Sequence, residues 1–272
     1  MAPSTICTRN SASSTPKYLA VASIEGVTRI QHRVGRRQPV RRLAAEGARI
    51  CVDDIKLAGA EAVAIEVVKK GGEAFAVYID LADEGSVNAA VASAADRLRG
   101  IDGAHINAAD LRAIMQDSDA LEVDLAVFDR TLAINLRGHL LCPRAVLPHL
   151  LARGAGAAVH TSSGAADSGE PVRPSYGASK SGLNAFMRHV ASRWGREGIT
   201  ANCVAPGFTL TPEMEVSGHL TQELRDYMMR QIPGRRLGRP EDIAGVVAML
   251  LSEDGRWING QVYNVNGGAL MR

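Results

Sequence analysis

From about residue 42 onward, apolar positions alternate between compact runs and stripes at helical spacing. Ala48 to Asp53 (ARICVD) is short, partly β-branched and closed by acids, which predicts a strand. Residues 56–71 have a helical pattern, and Ala74 to Ile79 (AFAVYI) reads as the next strand. An Ala-rich helix is expected over 84–99, then a short strand ending near Asn107. Helical pattern dominates 121–153, with breaks expected at Pro143 and Pro148. Strands follow at Ala157 to Thr161 and Ile199 to Val204, separated by a helix over 176–196. Pro240 and two acids open a helix at Glu241 to Leu251, and Gln261 to Val265 is the last strand. Strand and helix alternating in this way predict an α/β fold: a doubly wound parallel sheet of Rossmann type, in a single domain over residues 21–272.

Composition narrows this picture. Hydrophobic residues make up 46% of the 272 positions but aromatic ones only 4%, so the core must be built from Ala, Val, Leu and Ile. Such a core suits helices packed on a parallel sheet. A net charge of +2 gives no bulk reason to expect nucleic acid or an anionic membrane as partner, and no apolar run approaches the length of a membrane span. Cys7, Cys51, Cys142 and Cys203 are widely spaced and form no Cys-x-x-Cys pair, so neither a metal site nor a disulfide framework is expected. Residues 1–20 are rich in Ser and Thr, with Arg9, Lys17 and no acid before Glu25. That composition fits a transit peptide or a disordered start; the expectation is a disordered segment on a cytoplasmic protein.

The strongest chemical feature is Tyr176-Gly-Ala-Ser-Lys180. Positions i and i+4 lie one turn apart on one helix face. A free tyrosine, with a pKa of about 10, is too weak an acid for proton transfer at neutral pH, and a neighbouring ammonium makes it stronger. Lysine occurs only at positions 17, 56, 69, 70 and 180, which makes its presence here informative. The plain alternative is an aromatic anchor beside a surface lysine. Ser163 lies thirteen residues before Tyr176, just past the strand at 157–161, where an open parallel sheet places its ligands. Its plain alternative is a turn or capping serine; for Asn135, in Ala133-Ile-Asn-Leu-Arg-Gly138, it is a local backbone hydrogen bond.

This ordered set resembles the short-chain dehydrogenase/reductase family over about residues 42–272. Asn202-Cys-Val-Ala-Pro-Gly207 with Thr211 is similar to that family's strand and nicotinamide-side loop. Gly238-Arg-Pro-Glu-Asp-Ile-Ala244 and Val265-Asn-Gly-Gly268 are similar to its C-terminal segment. Asp80-Leu81 and Asn107-Ala-Ala109 stand at its adenine-side acid and its Asn-Asn-Ala-Gly turn, with Ile106 and Ala109 departing from that turn. The resemblance implies hydride transfer between NAD(H) and a secondary alcohol or ketone. Tyr176 would carry the proton, Lys180 would acidify it and hold the nicotinamide ribose, Ser163 would fix the substrate oxygen, and Asn135 would hold a relay water. Asp54, Asp80, Leu81, Asn107, Tyr176, Lys180, Pro206, Gly207, Thr209 and Thr211 would contact the cofactor. Asp54, at the end of the second strand, favours NAD over NADP because an acid binds a ribose 2′-hydroxyl and repels a 2′-phosphate. The family's helices near 121–153 and 176–196 imply a homo-tetramer or dimer.

One element is missing. The family's glycine loop should fall at residues 29–36, but the window reads Arg29-Ile-Gln-His-Arg-Val-Gly-Arg36, and 21–41 is atypical throughout. Pro39 then falls inside the expected first helix, at a cost of roughly 3 kcal/mol. Three readings stay open: the arginines at 29, 33, 36, 37, 41 and 42 bind the pyrophosphate by charge; the segment is a basic surface element; or residues 29–40 are an out-of-frame reading of a glycine loop, which the codons would reveal. The rival to an enzyme is a scaffold or regulator on the same fold that binds nucleotide weakly or not at all.

Overall fold

The computed structural model describes residues 16–21, 38–211, 214–215 and 220–271. Its elements in chain order are β1 (Lys17–Val21), α1 (Gln38–Ala45), β2 (Arg49–Asp54), α2 (Leu57–Lys69), β3 (Glu73–Tyr78), α3 (Glu84–Leu98), β4 (Gly103–Ile106), α4 (Leu111–Gln116) and α5 (Leu125–Leu132). A π-helical segment (Ala133–Gly138) then leads into α6 (His139–Arg153), β5 (Gly156–Thr161), α7 (Pro174–Trp194), β6 (Ile199–Pro206), α8 (Gln222–Arg230), α9 (Pro240–Leu251) and β7 (Val262–Val265). The strands form one seven-stranded sheet in the order β3-β2-β1-β4-β5-β6-β7, with every pairing parallel. This is the doubly wound, Rossmann-like sheet expected from the sequence. Its winding reverses between β1 and β4, the point beyond whose carboxyl ends an open α/β sheet ordinarily takes its ligands.

Period-two alternation assigns each strand residue to a face. Ile50 and Val52 of β2 join Val40 and Leu43 of α1, Val63 and Val67 of α2, and Val247 and Leu251 of α9 in one apolar layer. Cys51 faces the opposite layer, with Val87 and Val91 of α3, Val146 and Leu150 of α6, and Leu183 and Met187 of α7.

Four sequence expectations need correction. β1 starts at Lys17, inside the stretch expected to be disordered; its five-residue KYLAV run pairs on both sides and is hard to tell from its Ser/Thr-rich surroundings. Pro39 costs little, because α1 begins at Gln38 and the proline occupies the first turn, where no amide hydrogen bond is lost. Pro143 and Pro148 do not break α6, whose Leu141, Cys142, Val146, Leu147 and Leu150 are buried. That burial outweighs two missing amide donors. Helices α4 and α8 were not foreseen; α4 has only six residues, and α8 is a nine-residue, mostly polar segment that buries none of its side chains. The atypical window at 29–36 lies outside the described residues.

The core also encloses titratable groups. Asp53 is fully buried, accepts a hydrogen bond from Cys51 Sγ at 3.3 Å on Oδ1, and has no partner for Oδ2. Burial pushes its carboxyl well above the ordinary carboxylate range. His105, His139 and His160 are buried on β4, α6 and β5. His139 Nδ1 lies 3.2 Å from His160 Nδ1, and His105 Nε2 lies 3.0 Å from Thr161 Oγ1. Desolvation holds His105 down to about 4 and His160 to about 3, and also lowers His139.

These groups set opposite pH slopes. The histidines stay neutral in the fold but protonate near 6.5 once unfolded, so stability is expected to fall as pH drops below 6.5, by up to about 1.4 kcal/mol per pH unit for each histidine. Asp53, its carboxyl held above the ordinary range in the fold, ionises above about 4 in the unfolded chain, so it removes stability as pH rises from there. Asp53→Asn should therefore raise the melting temperature at pH 8 and converge on the parent protein towards pH 4. Calorimetry across this range checks both slopes; a pH-independent offset for the variant would mean that Asp53 is ionised in the folded state.

Candidate active site

The carboxyl end of β5 is the focus of the site. Past Thr161, the chain runs through Ser162 and Ser163 into a short 3-10 turn, Gly164–Ala166, capped by Ser163, whose Oγ accepts from the Ala165 amide at 3.2 Å. The plain capping role weighed for Ser163 is therefore real. It uses the oxygen as an acceptor, however, and leaves the hydroxyl proton to donate elsewhere. Helix α7 packs against this turn, and Ser181 Oγ donates to Ala166 O at 2.7 Å. Tyr176 stands in the first turn of α7 and Lys180 one turn further on.

Lys180 is not a surface lysine. It is 2% exposed, and its Nζ donates to the Thr161 carbonyl at 2.8 Å. The same Nζ lies 5.8 Å from the centroid of the Tyr176 ring. A buried ammonium has to be met by acceptors and π-density, and here β5 and the tyrosine supply them. The two side chains of the motif thus meet at the end of β5, beside Ser163.

Asn135 lies in the π-helical segment, fully buried. Its Oδ1 accepts from the Asp110 amide at 2.9 Å, and its Nδ2 has no partner among the described residues. The bond ties the segment to the turn Asn107–Asp110 that follows β4. Extra turns of this kind inside helices recur at functional sites because they redirect one side chain. Gly138 closes the segment, and a Cβ there would meet Leu81 Cβ at 2.8 Å. Leu81 itself is a core residue, its side chain buried in the apolar layer.

The remaining sequence-derived positions sit along the same carboxyl edge. Asp54 ends β2; it is 1% exposed and accepts from the Lys56 amide at 2.7 Å. Asp80, just past β3, turns the chain by accepting from Ala82 N at 2.9 Å, and Asn107 follows β4. Pro206 ends β6. A Cβ on Gly207 would sit 2.6 Å from Asn266 Cβ, so only glycine lets the ends of β6 and β7 approach this closely. Thr209 bridges to Gly238 and donates to Gly207 O at 3.1 Å, while Thr211 Oγ1 accepts from Met214 N at 3.3 Å. Of the arginines considered for pyrophosphate, Arg41 pairs with Glu66 and Arg42 with Glu46.

Sequence reasoning missed Asp110, Arg130 and Asp117. The buried carboxylate of Asp110 pairs with Arg130 and accepts from Ala113 N at 3.2 Å. Asp117 bonds the start of α7. For the two aspartates the only signal was an acid at a position where the chain must turn; Arg130, inside α5, carried none. A concavity of about 1240 Å³ opens at the opposite, amino edge of the sheet, near Ala48, Asp102, Gly156 and Ile199, and contains none of the residues named above as site residues. Its Arg153 and Arg256 pair with Asp102 and Glu253, so no charge there awaits a ligand. The residues singled out in the sequence are instead gathered at the carboxyl edge. Among the described residues no helix is long and apolar enough to cross a membrane, and no cluster of His, Cys, Asp or Glu could hold a metal ion.

Comparison with known proteins agrees with this geometry. A family model described as enoyl-(acyl carrier protein) reductase matches residues 37–269. A probable short-chain type dehydrogenase/reductase of Bradyrhizobium diazoefficiens is 39% identical over 230 residues, covering 84% of this chain and 80% of that protein. A 3-oxoacyl-(acyl-carrier-protein) reductase of Staphylococcus aureus is 33% identical, covering 84% and 91%. A gluconate 5-dehydrogenase from Burkholderia cenocepacia, solved with NADP and tartrate, superposes with a TM-score of 0.82 at 25% identity, covering 93% and 94%. A match over most of the length, on a Rossmann-like sheet, shows that this chain belongs to the short-chain dehydrogenase/reductase family of oxidoreductases.

Proposed function

We propose that this protein transfers a hydride reversibly between NAD(H) and a secondary alcohol or its ketone, with Tyr176 carrying the proton. The observation that carries this reading is the buried ammonium of Lys180, held between the end of β5 and the Tyr176 ring. Nicotinamide, when bound, supplies or accepts the hydride. In the reductive direction the Tyr176 hydroxyl gives its proton to the substrate oxygen, and the nearby ammonium stabilises the phenolate left behind. Ser163 donates its hydroxyl proton in a hydrogen bond to the same oxygen and fixes its position. Asn135, whose buried Nδ2 lacks a partner among the described residues, holds a water through which Lys180 and Tyr176 regain a proton from solvent.

The groups present suit a dinucleotide. Asp54 at the end of β2, Lys180 on α7 and Gly207 past β6 lie on either side of the point where the sheet's winding reverses. Asp54 would hold the adenosine ribose 2′-hydroxyl and disfavour a 2′-phosphate, which supports NAD even though a structural relative binds NADP. Asp80, Leu81 and Asn107 would line the adenine side; Pro206, Gly207, Thr209 and Thr211 the nicotinamide side. The names of the relatives support a ketone-bearing substrate, including a 3-oxoacyl thioester. Exposed Leu121, Leu125 and Leu140 around α5 and α6 support a homo-oligomer, and a cytoplasmic location agrees with this reading.

The enzyme reading and the scaffold reading separate in two measurements. Purified protein should bind NADH with a change in nicotinamide fluorescence; no change up to millimolar NADH favours the scaffold. Tyr176→Phe should lower kcat on the order of 10²- to 10⁴-fold while leaving NADH affinity within a few-fold. Undiminished turnover in that variant removes the mechanism.

Cofactor choice is tested at one residue. Asp54→Ala should reduce the preference for NADH over NADPH by roughly 10- to 100-fold, the range for a lost charged hydrogen bond and relieved repulsion. An unchanged ratio of kcat/KM for the two cofactors means that selectivity lies elsewhere.

A further inference from the structure

The helix carrying Tyr176 begins in an unusual way. Pro174 is its first residue and has no amide proton, so the first amides needing an acceptor are those of Ser175 and Tyr176. Such amides are ordinarily bonded by the residue just before the helix, through a short side-chain oxygen. Here that residue is Arg173, whose side chain has no acceptor and makes no capping bond. The acceptor comes instead from 59 positions upstream of Tyr176. Asp117, between α4 and α5, accepts from Tyr176 N at 2.9 Å on Oδ2. Its Oδ1 accepts from Ser175 Oγ at 2.8 Å and from Ser175 N at 3.4 Å. The next carbonyl, that of Ser118, accepts from Arg173 N at 2.6 Å.

The chain is constrained at the same point. Arg173 has φ 69° and ψ 49°, a left-handed backbone that a residue with a side chain adopts only when its surroundings impose it. The Ser118 bond imposes it from one side and the first turn of α7 from the other. Asp117 is only 7% exposed and Ser175 fully buried, so water does not readily replace these bonds. Arg173, just before the helix, is paired with Glu170, and the carboxylate of Asp117 faces the positive end of the helix dipole.

We infer that Asp117 is a positioning residue: it caps α7 from a separate part of the chain and fixes the backbone of Tyr176, so that the phenol lies against Lys180. The inference rests on the proposed role of Tyr176. Without the cap the first turn frays, and the tyrosine, being in that turn, moves away from an ammonium that β5 continues to hold.

The test compares full-length Asp117→Ala and Asp117→Asn with the parent protein. It uses kcat and KM for alcohol oxidation against pH, NADH affinity by fluorescence, and ultraviolet difference titration of the Tyr176 phenol with Tyr176→Phe as the subtracted reference. Asp117→Ala should lower kcat roughly 10- to 100-fold, as expected for a misplaced reacting group, with NADH affinity within about 2-fold. The phenol titration and the acid limb of kcat should both move alkaline by about one pH unit, the shift that accompanies loss of a close ammonium. Asp117→Asn, which keeps an acceptor, should recover most of kcat. An Asp117→Ala variant that melts earlier but keeps the parent's kcat and phenol titration overturns the inference, as does an Asn variant no better than Ala. Should Asp117→Ala not fold, Ser175→Ala removes the bond that orients the carboxylate and should give the same shifts on a smaller scale. Should the parent protein show no redox turnover, the proposed function fails, while the phenol titration alone still decides for or against Asp117.

Discussion

A lysine ammonium buried beside a phenol is the interaction on which the rest of this site depends. Placing a charge out of water costs several kcal/mol unless partners replace its hydration. For Lys180 one partner is the Thr161 carbonyl at the end of β5, and a second is the face of the Tyr176 ring. Both lie at the carboxyl edge of the sheet. These contacts hold the first half of α7 against the end of β5.

The neighbouring elements share that edge. The turn after β4 is fixed by Asn135 and Asp110, with Arg130 on α5 neutralising the buried carboxylate. The 3-10 turn after β5 is fixed by Ser163 and by Ser181 on α7. Apart from the Ser163 cap, which lies within its own turn, these bonds join a loop after a strand to a helical segment elsewhere in the chain. The result is a set of loops held by helices rather than by each other, the arrangement that keeps a reacting group in place when a ligand enters and leaves.

Much of this was legible in the sequence because the informative residues are close in the chain or repeat with a simple period. The strands and main helices follow from apolar spacing, and Tyr176, Lys180, Ser163 and Asn135 stand in the expected order of motifs. What escaped was set by tertiary packing. The five-residue β1 carries no alternation, since it is paired on both sides. The prolines of α6 read as breaks, because the burial of Leu141, Val146 and Leu150 against them cannot be read from propensity. The pairings of Arg41 with Glu66 and Arg42 with Glu46 turn those charges towards neighbouring helix residues, which a count of arginines does not reveal. Asp117 was invisible for a related reason: a cap 59 residues from the amide it bonds leaves no local pattern.

The i, i+4 spacing of the tyrosine and lysine is a weaker constraint than it looks. One helical turn brings two side chains to the same face, but leaves several ångströms of freedom in where each head group lies. That freedom is removed at both ends by different parts of the chain. At the lysine end β5 accepts the ammonium; at the tyrosine end the Asp117 carboxylate accepts the amide. The connection that supplies Asp117 leads through α5 into the segment bearing Asn135. On the proposed mechanism one stretch of chain therefore supplies both the group that fixes the tyrosine and the group that holds its water, and a substitution there would disturb the proposed proton path at two points at once.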